Sequence, residues 1–264
     1  MKKRTLLAIL LAASAVAWSQ TTPEKPLAKP TPGQVEWQDM DVEMFLCFDP
    51  CTWQNREYDD HSTPLDKINP DKLDTDQWAR VAVSMGAKQI LFVAKHTGGF
   101  CWWQTDTTDY GVKETPWRGG RGDVMQVLSE SCRKNGLKLG VYLSPQDDHY
   151  GAKTSGRCDT PEKQTVYDKI YRQQLTELLT RYGTISEVWN DGGLVVPAED
   201  ILKEHAKDAM IFQGKSATLR WVGNEDGYAP YPAWNAVSRE AWQRGVRTRG
   251  VAPLKRWVIG GSRE

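Results

Sequence analysis

A carboxylate followed by two glycines ends the stretch Val188-Trp189-Asn190-Asp191-Gly192-Gly193. Two apolar residues, a short buried strand, lead into the polar pair, and the glycines let the chain turn sharply beside the acid. A carboxylate at the C-terminal end of a strand, with a loop opening after it, is placed for nucleophilic or acid–base chemistry on an α/β barrel. An Asp-Gly turn with no chemistry is the plain alternative. Other apolar runs end in the same way. They lead into Lys95-His96-Thr97-Gly98-Gly99-Phe100, Ser144-Pro145-Gln146-Asp147-Asp148-His149-Tyr150, Gln213-Gly214 and Gly223-Asn224-Glu225-Asp226. In a parallel sheet all of these project from one rim. Any one of them reads as a solvated loop, but five in succession point to a site.

The elements that must hold them alternate. Strands are expected at Met44 to Phe48, Gln89 to Ala94, Lys138 to Leu143, Ser186 to Trp189, Met210 to Phe212 and Leu219 to Val222. Between them lie helical patterns over Thr75 to Met85, Asp123 to Asn135, Pro161 to Tyr182 and Ala198 to Ala206. In the first of these, Trp78, Val81, Ala82 and Met85 share one face. Runs as continuous as Gln89 to Ala94 suit strands buried on both sides. Six such units without hairpin signals favour a parallel sheet covered by helices. A doubly wound sheet is the alternative, but no Gly-rich phosphate loop follows the first strand.

Composition narrows the partners. The formal net charge is zero, yet residues 236–264 carry +5 and the body, without leader and tail, carries −8. An acidic body argues against nucleic acid. Twelve tryptophans suit stacking on sugar faces, although burial in a core explains any single one. The five cysteines, Cys47, Cys51, Cys101, Cys132 and Cys158, are an odd number and lack zinc spacing, so no metal and no cofactor is assigned. Lys2, Lys3 and Arg4 precede an apolar run from Leu6 to Ala17, too short to span a bilayer. Residues 1–19 therefore read as a secretory signal peptide, making the product periplasmic or secreted with no membrane span after cleavage. Residues 20–41 read as a Pro-rich lead-in, disordered over residues 20–33.

The blocks Phe45 to Asp60, Gly86 to Trp103, Gly136 to Ser144, Gln174 to Asp191 and Arg220 to Gly227, in this order and spacing, resemble the α-L-fucosidases of glycoside hydrolase family 29. The resemblance runs from about Val42 to Asn235. It implies a (β/α)8-like (TIM-type) barrel and metal-independent, retaining hydrolysis of terminal α-L-fucose from a fucosylated glycan. By its Trp-x-Asp-Gly block it implies Asp191 as the nucleophile. The Trp-Val-Gly-Asn-Glu block resembles the branch acting on α-1,3/1,4-linked fucose and implies Glu225 as the acid/base. In a retaining reaction one carboxylate attacks the anomeric carbon while the other protonates the leaving oxygen. That requires the two about 5–5.5 Å apart. His96 matches the first histidine of the family's Lys-His-His-Asp-Gly-Phe block, a ligand of sugar hydroxyls. Tyr142, Trp189, Trp221, Trp103 and Cys47 complete the expected substrate-binding set, Trp103 either as a sugar platform or as loop packing. Two positions depart from the family: Cys47 stands where many members have histidine, and Thr97-Gly98 replaces His-Asp. Cys47 is expected as a free thiol facing the pocket, with a disulfide to Cys51 or Cys101 as the competing outcome.

Six strands are used by Val222, whereas a closed barrel of this kind has eight. The expectation is an incomplete barrel over residues 42–235, followed by an atypical basic tail over residues 236–264. A shifted reading frame, a truncation or a divergent tail would each produce it, with weak or absent turnover. A sugar-binding relic and a retaining glycosidase for another sugar are the rival readings.

Overall fold

The computed structural model describes residues 28–219. Five parallel strands form one sheet in the order of the chain: β1 Glu43–Leu46, β2 Gln89–Lys95, β3 Lys138–Leu143, β4 Ile185–Trp189 and β5 Met210–Phe212. Leu219 adds an isolated parallel bridge to Phe212, where the sixth strand was expected to begin. Residues 220–222 of that strand, Trp221 and Glu225, the leader, residues 20–27 and the basic tail lie outside the described residues.

Helix starts follow local chemistry. Asp74 accepts from the Gln77 amide to cap α3 (Thr75–Ser84), and Asp123 does the same from Gln126 for α4 (Val124–Lys134). Thr160 caps α5 (Pro161–Arg181), with proline in its first turn. Helix α6 (Glu199–His205) and the short α2 (Cys51–Gln54) complete the connections after β4 and β1. The lead-in reading needs correction past residue 30. Thr31 and Gln34 form a reciprocal capping box that starts α1 (Pro32–Gln38), with Pro32 at a position where its missing amide is harmless.

The sheet curls. In a flat sheet β1 and β4 would lie roughly 14 Å apart, three strand spacings. Here the Phe45 and Trp189 rings sit 5.3 Å apart, edge to face. Phe45 also meets Tyr142 of β3 at 5.9 Å. These side chains therefore line the inside of a barrel wall. The opposite face carries Ile90, Phe92, Ala94, Leu139, Val141, Leu143, Val188 and Ile211 against the helices, in one continuous apolar core. Helix α3 presents Thr75, Ala79 and Ala82 to that core. Val81 and Met85, placed on one face with Trp78 and Ala82 by the sequence, are exposed, whereas Ala82 is fully buried.

At the N-terminal end of the wall the inner face is polar. The Gln89 side-chain amide donates to both Glu43 and Glu187, the latter at 3.0 Å, and Ser186 Oγ donates to Gln89 Oε1 at 2.5 Å. Trp37 of α1 donates to Glu187 Oε2 at 2.5 Å, so the first helix closes the floor of the barrel. Burial and the charge of Glu43 push the Glu187 carboxyl well above its ordinary range.

Candidate active site

Alternation along each strand decides which residues reach the inner face at the C-terminal rim. On β4 the inward series is Glu187, Trp189 and then Asp191. Gly192 and Gly193 follow with φ of 73° and 90°, a region costly for other residues. A Cβ at Gly192 would also lie 2.8 Å from Thr154 Cγ2, so the turn fits closely against the loop after β3. Tyr142, the inward residue of β3, donates its hydroxyl to Asp191 Oδ2 at 3.2 Å. Burial and the neighbouring Asp191 hold the Tyr142 hydroxyl far above the usual range for a phenol, so it remains a donor. The His96 ring lies 5.8 Å from the Tyr142 ring. Burial lowers the His96 pKa, against opposing charges on Asp191, Glu57, Asp148 and Asp59. A neutral imidazole beside a carboxylate can exchange hydrogen bonds with hydroxyl groups in either direction.

The walls are aromatic. Trp189 is half-buried, stacked on Phe212 at 3.7 Å and met by Phe45 from the side. Cys47 follows Phe45 by two residues at the rim of β1 and is an exposed free thiol. All five cysteines are free thiols. Nearby, the buried Asp49 carboxyl is raised to about 8, first by burial and then by the charge of Asp59. The Cys51 amide and thiol lie close but outside hydrogen-bonding geometry, and offset it only in part.

Asp191, Tyr142, His96, Trp189 and Cys47 thus gather at one mouth. Trp103 does not. It is fully buried on the helix side, where its indole donates to Glu177 Oε2 of α5 at 2.8 Å. Of the two readings left open for it, loop packing is correct, because the chain after β2 folds back outward to bridge at Gly111 before α4. Asn190, the neighbour of Asp191 in sequence, also points outward, to Tyr171 and to the Phe212 carbonyl. The inward partner of Asp191 is Tyr142 instead.

One wall residue escaped the sequence reading. Tyr58 stacks parallel to His96 at 5.8 Å and 8°, with 45% of its surface exposed. Its position in the long loop after β1, two residues before Asp60, carried no periodic signal. Asp59 beside it is buried and accepts from Tyr110 OH at 2.6 Å, Gln54 Nε2 at 2.7 Å and the His61 amide at 2.9 Å. A Cβ at position 98 would meet the Asp59 carboxylate at 2.5 Å, so Gly98 is what leaves room for it. Among the described residues no cluster of His, Cys, Asp or Glu is arranged to hold a metal.

Comparison with known proteins bears directly on this mouth. Residues 26–235 match the profile of the α-L-fucosidase family. The chain is 34% identical over 226 residues to alpha-L-fucosidase 1 of Arabidopsis thaliana, covering 81% of this chain and 42% of that protein. A crystal structure of a glycoside hydrolase 29 family member from an unknown rumen bacterium superposes with a TM-score of 0.76 at 31% identity, over 89% of this chain and 46% of that one. A Ruminococcus gnavus family 29 fucosidase, solved in complex with fucose, is 27% identical with a TM-score of 0.70, over 90% and 56%. The chain spans less than half the length of the first two, and its five parallel strands form part of a (β/α)8 barrel wall. It belongs to the α-L-fucosidase family, glycoside hydrolase family 29.

Proposed function

We propose that this chain is a retaining exo-α-L-fucosidase that releases terminal α-L-fucose from glycans or glycoconjugates, with Asp191 as nucleophile and Glu225 as acid/base. The observation that carries the reading is the Tyr142–Asp191 hydrogen bond at the C-terminal rim, with His96 on the same side. A carboxylate held there by one donor keeps its other oxygen for the anomeric carbon. Tyr142 donates to the oxygen of Asp191 that becomes the ester carbonyl oxygen, so the bond can persist as the glycosyl ester forms on the other oxygen. His96 and Tyr58 form a stacked pair at the edge, a neutral imidazole for sugar hydroxyls beside a flat apolar face. Trp189 supplies the apolar side of the pocket. Protonation of the leaving oxygen falls to Glu225, whose block follows the expected sixth strand. The resemblance of that block to the α-1,3/1,4-acting branch supports preference for those linkages. The fucose complex of the Ruminococcus gnavus relative supports the choice of sugar. The basic and then apolar start of the chain supports export to the periplasm or beyond.

The test is a mechanism-based fucosyl probe with a fluorine at C2 and an activated leaving group. Under the proposed chemistry it labels the protein once, on the peptide containing Asp191, and the label is lost in Asp191→Ala. Labelling of a different carboxylate would overturn the assignment. Binding of L-fucose without labelling or hydrolysis of an aryl α-L-fucoside would favour a sugar-binding relic.

A further inference from the structure

The alternation of β2 breaks just before His96. Gln89 and Leu91 point inward, as their contacts with a Cβ at Gly140 show, and Ile90, Phe92 and Ala94 point outward into the core. Continued alternation would place Lys95 inside and turn His96 away from the mouth. Instead the pairing with β3 shifts register between Val93 and Lys95, so that three residues of β2 oppose Tyr142 and Leu143. Ala94 and Lys95 both face outward, and His96 comes back inside. A bulge of this kind re-aims every side chain beyond it.

An outward lysine at this depth would ordinarily be costly, yet Lys95 is fully buried. Its ammonium has three donors, and each has an acceptor: Asp147 Oδ2 at 2.8 Å, Gln174 Oε1 at 2.9 Å and Tyr167 OH at 3.2 Å. Two of these come from α5 and one from the loop after β3. Asp147 is itself buried and receives the Tyr150 amide on its other oxygen at 3.1 Å. The next residue repeats the geometry. Asp148 donates its amide to the Thr97 carbonyl at 2.8 Å, so the segments just past each member of the ion pair are tied together at the rim.

We propose that Lys95 is a positioning residue, whose ammonium, anchored by Asp147, Gln174 and Tyr167, holds the β2 bulge and thereby aims His96 into the sugar site. The pair touches no substrate. It rests on the fucosidase reading only for what His96 meets, not for where His96 points.

The experiment follows the His96 ring by NMR in the full chain, whose four histidines allow assignment by single substitution. His96 faces Asp191, Glu57, Asp148 and Asp59, and burial keeps its titration low against them. In Lys95→Met, Asp147 is left buried and unpaired; melting falls and the His96 midpoint rises by about half a pH unit or more as the ring gains water. The double variant Lys95→Met/Asp147→Leu removes the stranded charge, and its melting temperature recovers. Under the proposal its His96 midpoint stays raised, and line shifts on adding L-fucose shrink at least several-fold relative to the parent. Recovery of both melting and the His96 midpoint would overturn the proposal, because the pair would then only stabilise. Should both variants fail to fold, Tyr167→Phe, which removes one acceptor, is read in the same way. A folded Tyr167→Phe with an unmoved His96 would equally overturn it. A parent protein whose spectrum ignores L-fucose would count against the fucosidase reading while leaving the His96 comparison intact.

Discussion

The two faces of the sheet are built to different ends. The outer face is sealed: Ile90, Phe92, Ala94, Val141, Leu143 and Val188 are essentially without exposed surface and pack on α3, α4 and α5. The inner face mixes charge, hydroxyl and ring, from Glu43, Gln89 and Glu187 at the floor to Tyr142 and Asp191 at the mouth. Phe45 there keeps 47% of its surface exposed. The outer face supplies stability through area removed from water. The inner face keeps polar groups under control by pairing them, and so supplies chemistry. Substitutions on the two faces should therefore separate turnover from stability.

The largest effect belongs to the mouth. Asp191→Ala should lower hydrolysis of an aryl α-L-fucoside by several orders of magnitude, with the denaturation midpoint close to the parent value. Retained turnover would remove Asp191 from the chemistry, and loss of folding would show that the mouth also carries stability. The converse is Phe92→Ala on the outer face. Emptying a fully buried ring that packs near Trp78 should cost about 3–5 kcal/mol in urea unfolding. Phe45→Ala on the exposed inner wall should cost clearly less.

Two further substitutions read the polar groups that the fold encloses. Glu187 and Asp49 are acids whose folded pKa values lie above their unfolded ones, Asp49 at about 8. The folded chain then binds protons that the unfolded chain has released, so stability is greatest below about pH 4 as far as these two groups decide. It declines as pH rises toward the folded values. Glu187→Gln should flatten this decline, since an amide stands in for the protonated acid and still accepts from Trp37. Asp49→Asn should do the same, by on the order of a few kcal/mol at pH 8. Unfolding free energies measured at pH 5 and pH 8 provide the check. An unchanged slope in both variants would show that the carboxyls are charged in the folded state.

The difference between the faces also explains what could be read from sequence. The runs Gln89 to Ala94 and Lys138 to Leu143 announce themselves because strands buried on both sides carry nearly unbroken apolar residues, and the ends of Gln89 to Ala94 and Ser186 to Trp189 deliver His96 and Asp191 to the same mouth. The inner face has no such signature. Tyr142 sits within an apolar run, and only the family resemblance marks it as a site residue; the pairing of β3 with β4, which sets Tyr142 beside Trp189, brings its hydroxyl to Asp191. Trp103 has the residue type of a sugar platform, but the chain after β2 leaves the mouth before reaching it. Asn190 is adjacent to Asp191, and alternation sends it to the other side of the sheet. Proline at positions 30 and 32 read as a lead-in, yet Thr31 and Gln34 between and after them supply a helix start. Spacing thus located the rim, while the partners across it depended on contacts between strands distant in sequence.

The smallest expected effect is the most discriminating, because it tests a single hydroxyl. Tyr142→Phe keeps the ring that packs against Phe45 and His96 and removes only the donor to Asp191. Loss of a hydrogen bond to a charged acceptor is worth about 1.5–3 kcal/mol, part of which water recovers at a half-open mouth. In an active preparation the result should be a loss of about ten-fold in turnover with little change in melting. A displaced nucleophile would lower turnover much further, toward the Asp191→Ala value. Unchanged turnover in a folded Tyr142→Phe protein would show that the hydroxyl does not serve Asp191, and that Tyr142 belongs with Phe45 as a wall of the pocket.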